Sequence, residues 1–267
     1  MNLELKDRVA LVTGGSKGIG AAIVQQLAQE GVRVAFCARP SAAMSALESE
    51  IRQSGGTCIA LPADVSDVAS ITATVEAAAA RWGGLDILVN NVGGALRFGG
   101  FEELSDEDWL RSFEFNFMSC VRFTRAALPH LRKSSLRRVI NISSISALQP
   151  GNYNPHYTVT KAAVVNLGKH LANVLAKERI LVNTVCPGPV HSESWQVNVR
   201  RIAGERGITE AAAQVAVEAE EAAKIPLGEV GERVQIASAV ALLASPLSAW
   251  TTGSCFHVNG GKLAVAI

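Results

Sequence analysis

Tyr157 and Lys161 lie four residues apart in the stretch Tyr157-Thr158-Val159-Thr160-Lys161. On a helix that spacing puts a phenol and an ammonium on one face. A phenol with a pKa of about 10 exchanges protons poorly at neutral pH, and a neighbouring ammonium favours its ionised form. Such a pair is a tunable general acid/base. A Tyr and a Lys that merely share an exposed helix face are the bland alternative, and the residues upstream weigh against it. Ile140-Asn141-Ile142-Ser143-Ser144 reads as a strand ending in two serines, and a serine hydroxyl beside the phenol can hold a carbonyl oxygen through a reaction.

A second chemical signal lies near the N-terminus, in Val9-Ala10-Leu11-Val12-Thr13-Gly14-Gly15-Ser16-Lys17-Gly18-Ile19-Gly20. Four apolar residues mark a strand buried on both faces. A glycine-rich turn follows, then Ala21–Glu30 with Ile23, Val24 and Leu27 at helical spacing. Strand, glycine turn and helix in this order make a phosphate site, because unpaired N–H groups and the helix dipole face the ligand. Glycines let a pyrophosphate approach the backbone. The spacing Gly14-x3-Gly18-x-Gly20 differs from the G-x-G-x-x-G fingerprint. Arg39 follows the second strand, where an acidic residue would bind a ribose 2′-hydroxyl and repel a 2′-phosphate. Here the chain reads Cys37-Ala38-Arg39, without an acid, and Lys17 adds a cation in the glycine turn. Two cations suit a 2′-phosphate, hence NADP(H) over NAD(H); two solvated surface charges are the rival reading. Asp64, followed by Val65, is placed either to meet an adenine or to cap the next helix.

The elements that must position these residues follow from periodicity. Strand candidates are Val9–Val12, Val32–Cys37, Cys58–Leu61, Leu85–Asn90, Arg138–Ser143, Ile180–Val185 and Cys255–Val258. Helical patterns lie between them, near Ala21–Glu30, Ser41–Ser54, Val68–Arg81, Asp106–Leu131, Tyr157–Glu178 and Arg233–Ala244. This alternation predicts an α/β fold: one domain over residues 1–267, a doubly wound parallel sheet of about seven strands with helices on both faces. Ligands bind such sheets at the carboxyl ends of the strands, where Arg39, Asp64, Asn90-Asn91, Ser143-Ser144 and Pro187-Gly188 all fall. One excursion breaks the alternation. The polar segment His191–Gly207 and the alanine-rich helix former Glu210–Ala223 read together as a substrate lid within about 191–226, with a plain pair of surface helices as the alternative.

Jointly these motifs resemble the short-chain dehydrogenase/reductase family over nearly the whole chain. The residues carrying the likeness are Thr13 to Gly20, Asp64-Val65, Asn90-Asn91-Val92-Gly93, Asn116, Ser144, Tyr157-x3-Lys161 and Pro187-Gly188. The resemblance implies a Rossmann-type fold and a catalytic tetrad. Tyr157 would be the acid/base. Lys161 would lower its pKa and bind the nicotinamide ribose. Ser144 would hold the substrate oxygen, with Ser143 the weaker candidate. Asn116 would position a water linking Lys161 to solvent. The cofactor residues it implies are Gly14, Ser16, Lys17, Gly18, Ile19, Gly20, Arg39, Asp64, Val65, Asn91, Gly93, Tyr157 and Lys161. The nicotinamide would lie against Pro187, Gly188 and Val190, with Ser192 keeping a hydroxyl there. The C-terminal part resembles the 3-oxoacyl-carrier-protein reductase-like branch. Pocket-lining segments are 94–98, 146–154 and 191–202, so Ser144, Ser146, Asn154 and Trp195 are substrate candidates, Trp195 with ordinary lid packing as its alternative. His156 would touch substrate or face solvent from a loop. The expected activity is reduction of a ketone or 3-oxoacyl-type carbonyl with NADP(H). An NAD-dependent secondary-alcohol dehydrogenase and a non-catalytic cofactor-sensing protein are the rivals. Family members are usually tetramers, built from the long helices holding Asn116 and Tyr157 and from the C-terminal strand.

Composition narrows the partners. The formal net charge is +1, which gives no electrostatic case for nucleic acid or an anionic membrane. A carrier protein would favour a basic patch, and Arg132, Lys133, Arg137 and Arg138 form one, with a solvated face as the alternative. The five cysteines are scattered, odd in number and without metal-ligand spacing, as are the histidines. No metal is expected. The short charged start Met1–Asp7 is no signal peptide, so a cytoplasmic protein acting on a small-molecule carbonyl/alcohol pair is expected.

Overall fold

Apolar runs flanked by turn residues become strands where both faces can be covered. In the computed structural model, which describes residues 2–264, these runs are β1 (Val9–Thr13), β2 (Arg33–Ala38), β3 (Thr57–Pro62), β4 (Ile87–Asn90), β5 (Arg138–Ile142) and β6 (Leu181–Pro187). After them come a short ribbon, β7 (Val190–His191) with β8 (Gly231–Glu232), and the last strand, β9 (Cys255–Val258). The seven-stranded sheet runs β3-β2-β1-β4-β5-β6-β9, parallel throughout. The expected seven strands are all present, each within a residue or two of its expected bounds. The order reverses between β1 and β4, so the crevice beyond their carboxyl ends is the switch point where ligands bind.

Helices cover both faces, as expected. On one lie α1 (Gly18–Gln29), α2 (Ala42–Gln53) and α9 (Arg233–Ala244), packed with Val12, Phe36, Ile140 and Val185. On the other lie α3 (Val68–Trp82), α5 (Ser119–Leu131) and α6 (Pro155–Leu175), packed with Leu11, Leu88, Val139 and Val182. The pattern over Asp106–Leu131 is not one uniform helix. It divides into α4 (Asp106–Phe113), a π-helical turn over Glu114–Met118, and α5. Such a bulge often marks a functional position, and Asn116 sits inside it.

The excursion is two helices, α7 (Glu193–Arg206) and α8 (Glu210–Ala222). The polar segment is thus helical, because Trp195, Val199 and Ala203 recur every fourth residue and make one apolar stripe. That stripe packs with Ala213, Val217, Ile225 and Val230 into a small core separate from the two beside the sheet.

α6 carries the Tyr/Lys pair and lies close upon the sheet. A Cβ at Gly168 would stand 2.5 Å from Thr184 Oγ1 and 3.2 Å from Asn141 Nδ2. Gly168→Ala is therefore expected to push α6 outward and to destabilise by about 1–3 kcal/mol through overpacking. A lowered urea midpoint checks this; an unchanged midpoint would mean the helix has room to spare.

Candidate active site

The glycine turn is held by its neighbours. Thr13 Oγ1 accepts from the N–H groups of Asn91 (2.9 Å) and Val92 (3.2 Å), while Asn91 Nδ2 donates to the carbonyls of Thr13 and Gly14, both at 3.0 Å. Asn91 thus ties the end of β4 to the turn after β1. A Cβ at Gly20 would meet Gly14 O at 2.2 Å, so only glycine permits this close return of the chain. Side chains cap α2 (Ser41), α3 (Asp67), α4 (Ser105), α7 (Ser192) and α8 (Thr209), but none caps α1. The N–H groups of Gly18, Ile19 and Gly20 find no acceptor among the described residues. An open helix N-terminus lined by glycine fits a diphosphate.

Lys17 and Arg39 are both exposed, and neither forms an ion pair among the described residues. Lys17 lines a hollow with Ser16, Gly18 and Arg233. Arg39 lies near Asp64 and helps keep that carboxyl below its usual range, although hydrogen bonds from Ser66 contribute more. Asp64 accepts from the Ser66 N–H (2.9 Å) and hydroxyl (2.6 Å), and the cap of α3 falls to Asp67 instead. Of the two readings of Asp64, helix capping is thereby removed.

Four side chains converge beyond β4 and β5. Lys161 is 3 % exposed. Its Nζ donates to Ile142 O at 2.9 Å and stands 5.9 Å from the Tyr157 ring centroid. An ammonium has three donors, and one partner leaves two for a ligand. Burial pulls its pKa down from 10.5 to about 8, with no carboxylate to counter it. Tyr157 is pushed up, by burial first, while the Ser144 hydroxyl beside it acts the other way. The expected lowering of the phenol by Lys161 is thus not the net effect in the chain alone: burial outweighs the opposing Ser144 hydroxyl. Ser143 Oγ donates to Lys161 O at 2.8 Å and is buried, so it serves α6. Ser144 Oγ lies at 3.2 Å from Ser146 Oγ and accepts from Ser146 N–H, which leaves Ser144 as the serine facing the phenol. A Cβ at Gly93 would stand 2.4 Å from Lys161 Nζ and 3.0 Å from Asn116 Oδ1, so the missing side chain there leaves the cradle open.

Asn116 is 1 % exposed. Its Oδ1 accepts from Gly94 N–H (2.8 Å), and its Nδ2 donates to Gly94 O (3.2 Å) and Ser112 Oγ (3.1 Å). The side chain clamps the loop after β4, and one Oδ1 lone pair is left for a water. Gly188 follows β6 against β9: its N–H donates to Val258 O at 2.9 Å, and a Cβ would lie 2.8 Å from Asn259 Cα. Val190 is buried in β7, and Ser192 caps α7 by accepting from Trp195 N–H. Gly18 faces this cap, since a Cβ there would stand 3.7 Å from Ser192 Cβ. The excursion therefore begins directly over the glycine turn.

Four expectations need correction or narrowing. His156 is fully buried, its ring 6.2 Å from that of Trp109, and burial lowers its pKa; it neither faces solvent nor lies in a loop. Trp195 turns into the small core of α7 and α8 and donates from Nε1 to Gln214, which is the lid-packing alternative. Asn154, at φ 54°, commits its Oδ1 to Gly99 N–H and its own N–H to Gly99 O. The basic cluster lies at the start of β5, at the opposite end of the sheet from this site. There Arg138 is 5 % exposed, Arg137 holds the carbonyls of Ser134 and Glu178, and Arg132 pairs with Glu178. Sequence reasoning missed Arg201. Its guanidinium on α7 lies 5.4 Å from the Phe98 ring and 5.3 Å from the Tyr153 ring, joining three distant segments that no spacing relates.

An open parallel sheet, an uncapped glycine turn at its switch point and a buried Tyr/Lys pair beside it define the dinucleotide-dependent α/β oxidoreductases. Residues 14–262 match the family model described as enoyl-(acyl carrier protein) reductase. An uncharacterized oxidoreductase of Methylorubrum extorquens is 38% identical over 261 residues, 97% of this chain and 98% of that one. The 3-oxoacyl-[acyl-carrier-protein] reductase of Escherichia coli is 33% identical over 267 residues, 99% of this chain and 100% of that one. The L-sorbose reductase of Gluconobacter frateurii, solved with NADPH and L-sorbose, superposes with a TM-score of 0.92 at 30% identity, covering 100% of both chains. The chain belongs to the short-chain dehydrogenase/reductase family and is an oxidoreductase.

The depressed Lys161 gives a test that needs no substrate. Between about pH 8 and 10.5 the folded protein releases a proton that the unfolded chain keeps, so this residue's contribution to stability rises with pH across that window. Urea midpoints of the cofactor-free protein and of Lys161→Met should therefore shift, in favour of the wild type, from pH 8 to pH 10. A constant difference would place the lysine pKa near its ordinary value.

Proposed function

We propose that this chain is an NADP(H)-dependent carbonyl reductase, converting a ketone or 3-oxoacyl-type carbonyl to an alcohol. The observation that carries the reading is Lys161: a buried ammonium with one protein acceptor, beneath the Tyr157 phenol and beside Gly93. The dinucleotide supplies the hydride when bound. The glycine turn would hold its diphosphate, Lys161 its nicotinamide ribose, and Pro187, Gly188 and Val190 its nicotinamide. Lys17 and Arg39, two exposed cations that form no ion pair among the described residues, would take a 2′-phosphate, and the NADPH in the sorbose reductase structure supports this choice.

Within that frame the chain's own residues handle the proton. The Ser144 hydroxyl holds the carbonyl oxygen and stabilises charge developing on it. Tyr157, kept protonated by burial, gives its proton to that oxygen. Lys161 then favours the phenolate it leaves, and a water at the free Asn116 lone pair would return a proton from solvent. Asp64 and Val65 would border the adenine. α7 and α8 form the lid, clasped to the rim of the pocket where Arg201 lies between Phe98 and Tyr153; Ser146 and Asn154 shape that rim.

The same reading favours a homotetramer. Leu110, Phe113, Phe117 and Met118 line an apolar hollow on the outer side of α4 and the π turn, the helix system on which family assembly is expected. No helix of the described residues is long and apolar enough to cross a membrane. Five free thiols suit a reducing cytoplasm.

Tyr157→Phe is expected to lower kcat by about 10²–10⁴-fold while leaving NADPH affinity, read by fluorescence titration, unchanged. Near-normal turnover would remove the phenol from the proton path. Arg39→Asp is expected to weaken NADPH by about tenfold or more, the worth of one charge-assisted contact, and NADH little. Equal losses would show that Arg39 does not meet a 2′-phosphate and would move an NAD-dependent dehydrogenase ahead.

A further inference from the structure

Two thiols that the mechanism does not use meet behind the site. Cys186 ends the apolar run of β6, one residue before Pro187. In the β6–β9 pairing Thr184 stands opposite Cys255, and Cys186 opposite His257. Partners in a parallel pair, and residues two apart on one strand, share a face. Cys186, Cys255 and His257 therefore lie on one side of the sheet, the side on which Thr184 meets Gly168 of α6. There the sulfurs of Cys186 and Cys255 are 3.2 Å apart, and all five cysteines are free.

The two thiols are not equivalent. Cys255 is partly exposed, and its hydrogen bond with Cys186 and, after it, His257 hold its pKa below the ordinary thiol value. The same bond, together with burial, pushes Cys186 up. Cys186 is buried and Cys255 is partly exposed, so Cys255 is the sulfur a small oxidant reaches first, with Cys186 in contact behind it. Elsewhere burial acts alone or dominates: Cys37 and Cys120 are pushed up to about 12, and Cys58 is raised as well. A reactive thiolate in reach of a second cysteine is the arrangement of a redox-sensing pair.

We propose that Cys255 is a site of oxidation by hydroperoxides, that Cys186 resolves it, and that the resulting disulfide switches the active site off. Cys255 sulfur attacks one oxygen of hydrogen peroxide; the O–O bond breaks, hydroxide leaves and is protonated to water, and Cys255 becomes a sulfenic acid. Cys186 sulfur then attacks the Cys255 sulfur. The S–O bond breaks, an S–S bond forms, and hydroxide departs with the Cys186 proton as a second water. The two thiols lose two electrons and the peroxide gains them; a dithiol reverses the step.

The link to turnover is mechanical and rests on the reductase reading above. Closing 3.2 Å to a covalent bond moves the sulfurs together by roughly 1 Å. Cys186 is joined to Pro187-Gly188, and Gly188 packs on Asn259 just past β9. Ser143 and Ser144 also contact Cys186. The pull therefore reaches the nicotinamide seat and the serine beside Tyr157 together.

The full-length enzyme is treated with hydrogen peroxide, alkylated and digested with trypsin. The expected product joins the peptide 180–200 to the peptide 234–262, each holding one cysteine. Before oxidation, limiting iodoacetamide should label Cys255 ahead of Cys37, Cys58 and Cys120. NADPH-dependent ketone reduction should fall on the order of 10–100-fold and return with dithiothreitol. Cys255→Ser should keep the untreated rate and lose the response. Absence of the cross-linked pair, or a Cys255 that resists labelling, overturns the site. A cross-link that leaves both rate and NADPH affinity unchanged overturns the switch. A chain that cross-links yet never reduces a ketone counts against the reductase reading; the switch is then decided by NADPH affinity alone.

Discussion

Burial of one positive charge governs the arrangement of this protein. Lys161 is enclosed by α6, the end of β5 and the loop after β4, and its ammonium has Ile142 O as its protein acceptor. An ion taken out of water is costly unless its donors are met. The chain meets one and leaves the others toward the cradle at Gly93, so the cost is retained until a ligand arrives. The tight seat of α6 on Thr184, the glycine at 93 and the Ser143 hydroxyl on Lys161 O all serve to keep that charge where it is. Tyr157 feels the same dry surroundings, which is why its phenol holds its proton more firmly than the neighbouring cation alone would suggest.

Around this charge, asparagines do the work of stitching loops. Asn91 joins the turn after β1 to the end of β4. Asn116 grips Gly94 from the π turn, and Asn154 grips Gly99 from the start of α6. A primary amide offers donor and acceptor together: Asn116 uses both on Gly94, Asn91 donates to two carbonyls, and Asn154 accepts with its amide while its backbone N–H donates. The long segment after β4 is thereby fastened at three points while its far edge remains open to the pocket.

The fold was legible because its signal is repetitive. Every strand of the sheet is an apolar run, and every crossover helix shows one apolar stripe, so β1 to β6 and β9 fall where periodicity puts them. The glycine turn and Tyr157-x3-Lys161 were legible because their chemistry is bound to spacing. What escaped depends on contacts between distant segments or on cues that are locally weak. Nothing in Glu114–Met118 announces an extra residue per turn. The stripe Trp195, Val199, Ala203 is diluted by charges on the other faces of α7. Arg201 meets Phe98 and Tyr153 only after the sheet has folded, and His156 lost its place at the surface because Trp109 closes over it. The net direction of the Tyr157 shift also needed the structure, since spacing reveals a neighbour's charge but not how dry the pair is.

α7 and α8 share a core of their own, from Trp195 to Val230, that borrows little from the cores beside the sheet. Their ties to the rest of the chain are local: a cap over Gly18, the β7–β8 ribbon, the Glu221–Lys262 pair and the guanidinium between two rings. A segment so self-reliant is an interchangeable part. Its outline can drift, or be transplanted from a relative, without asking the Tyr157 and Lys161 cradle below to repack, which makes it the place where one scaffold can acquire new clientele.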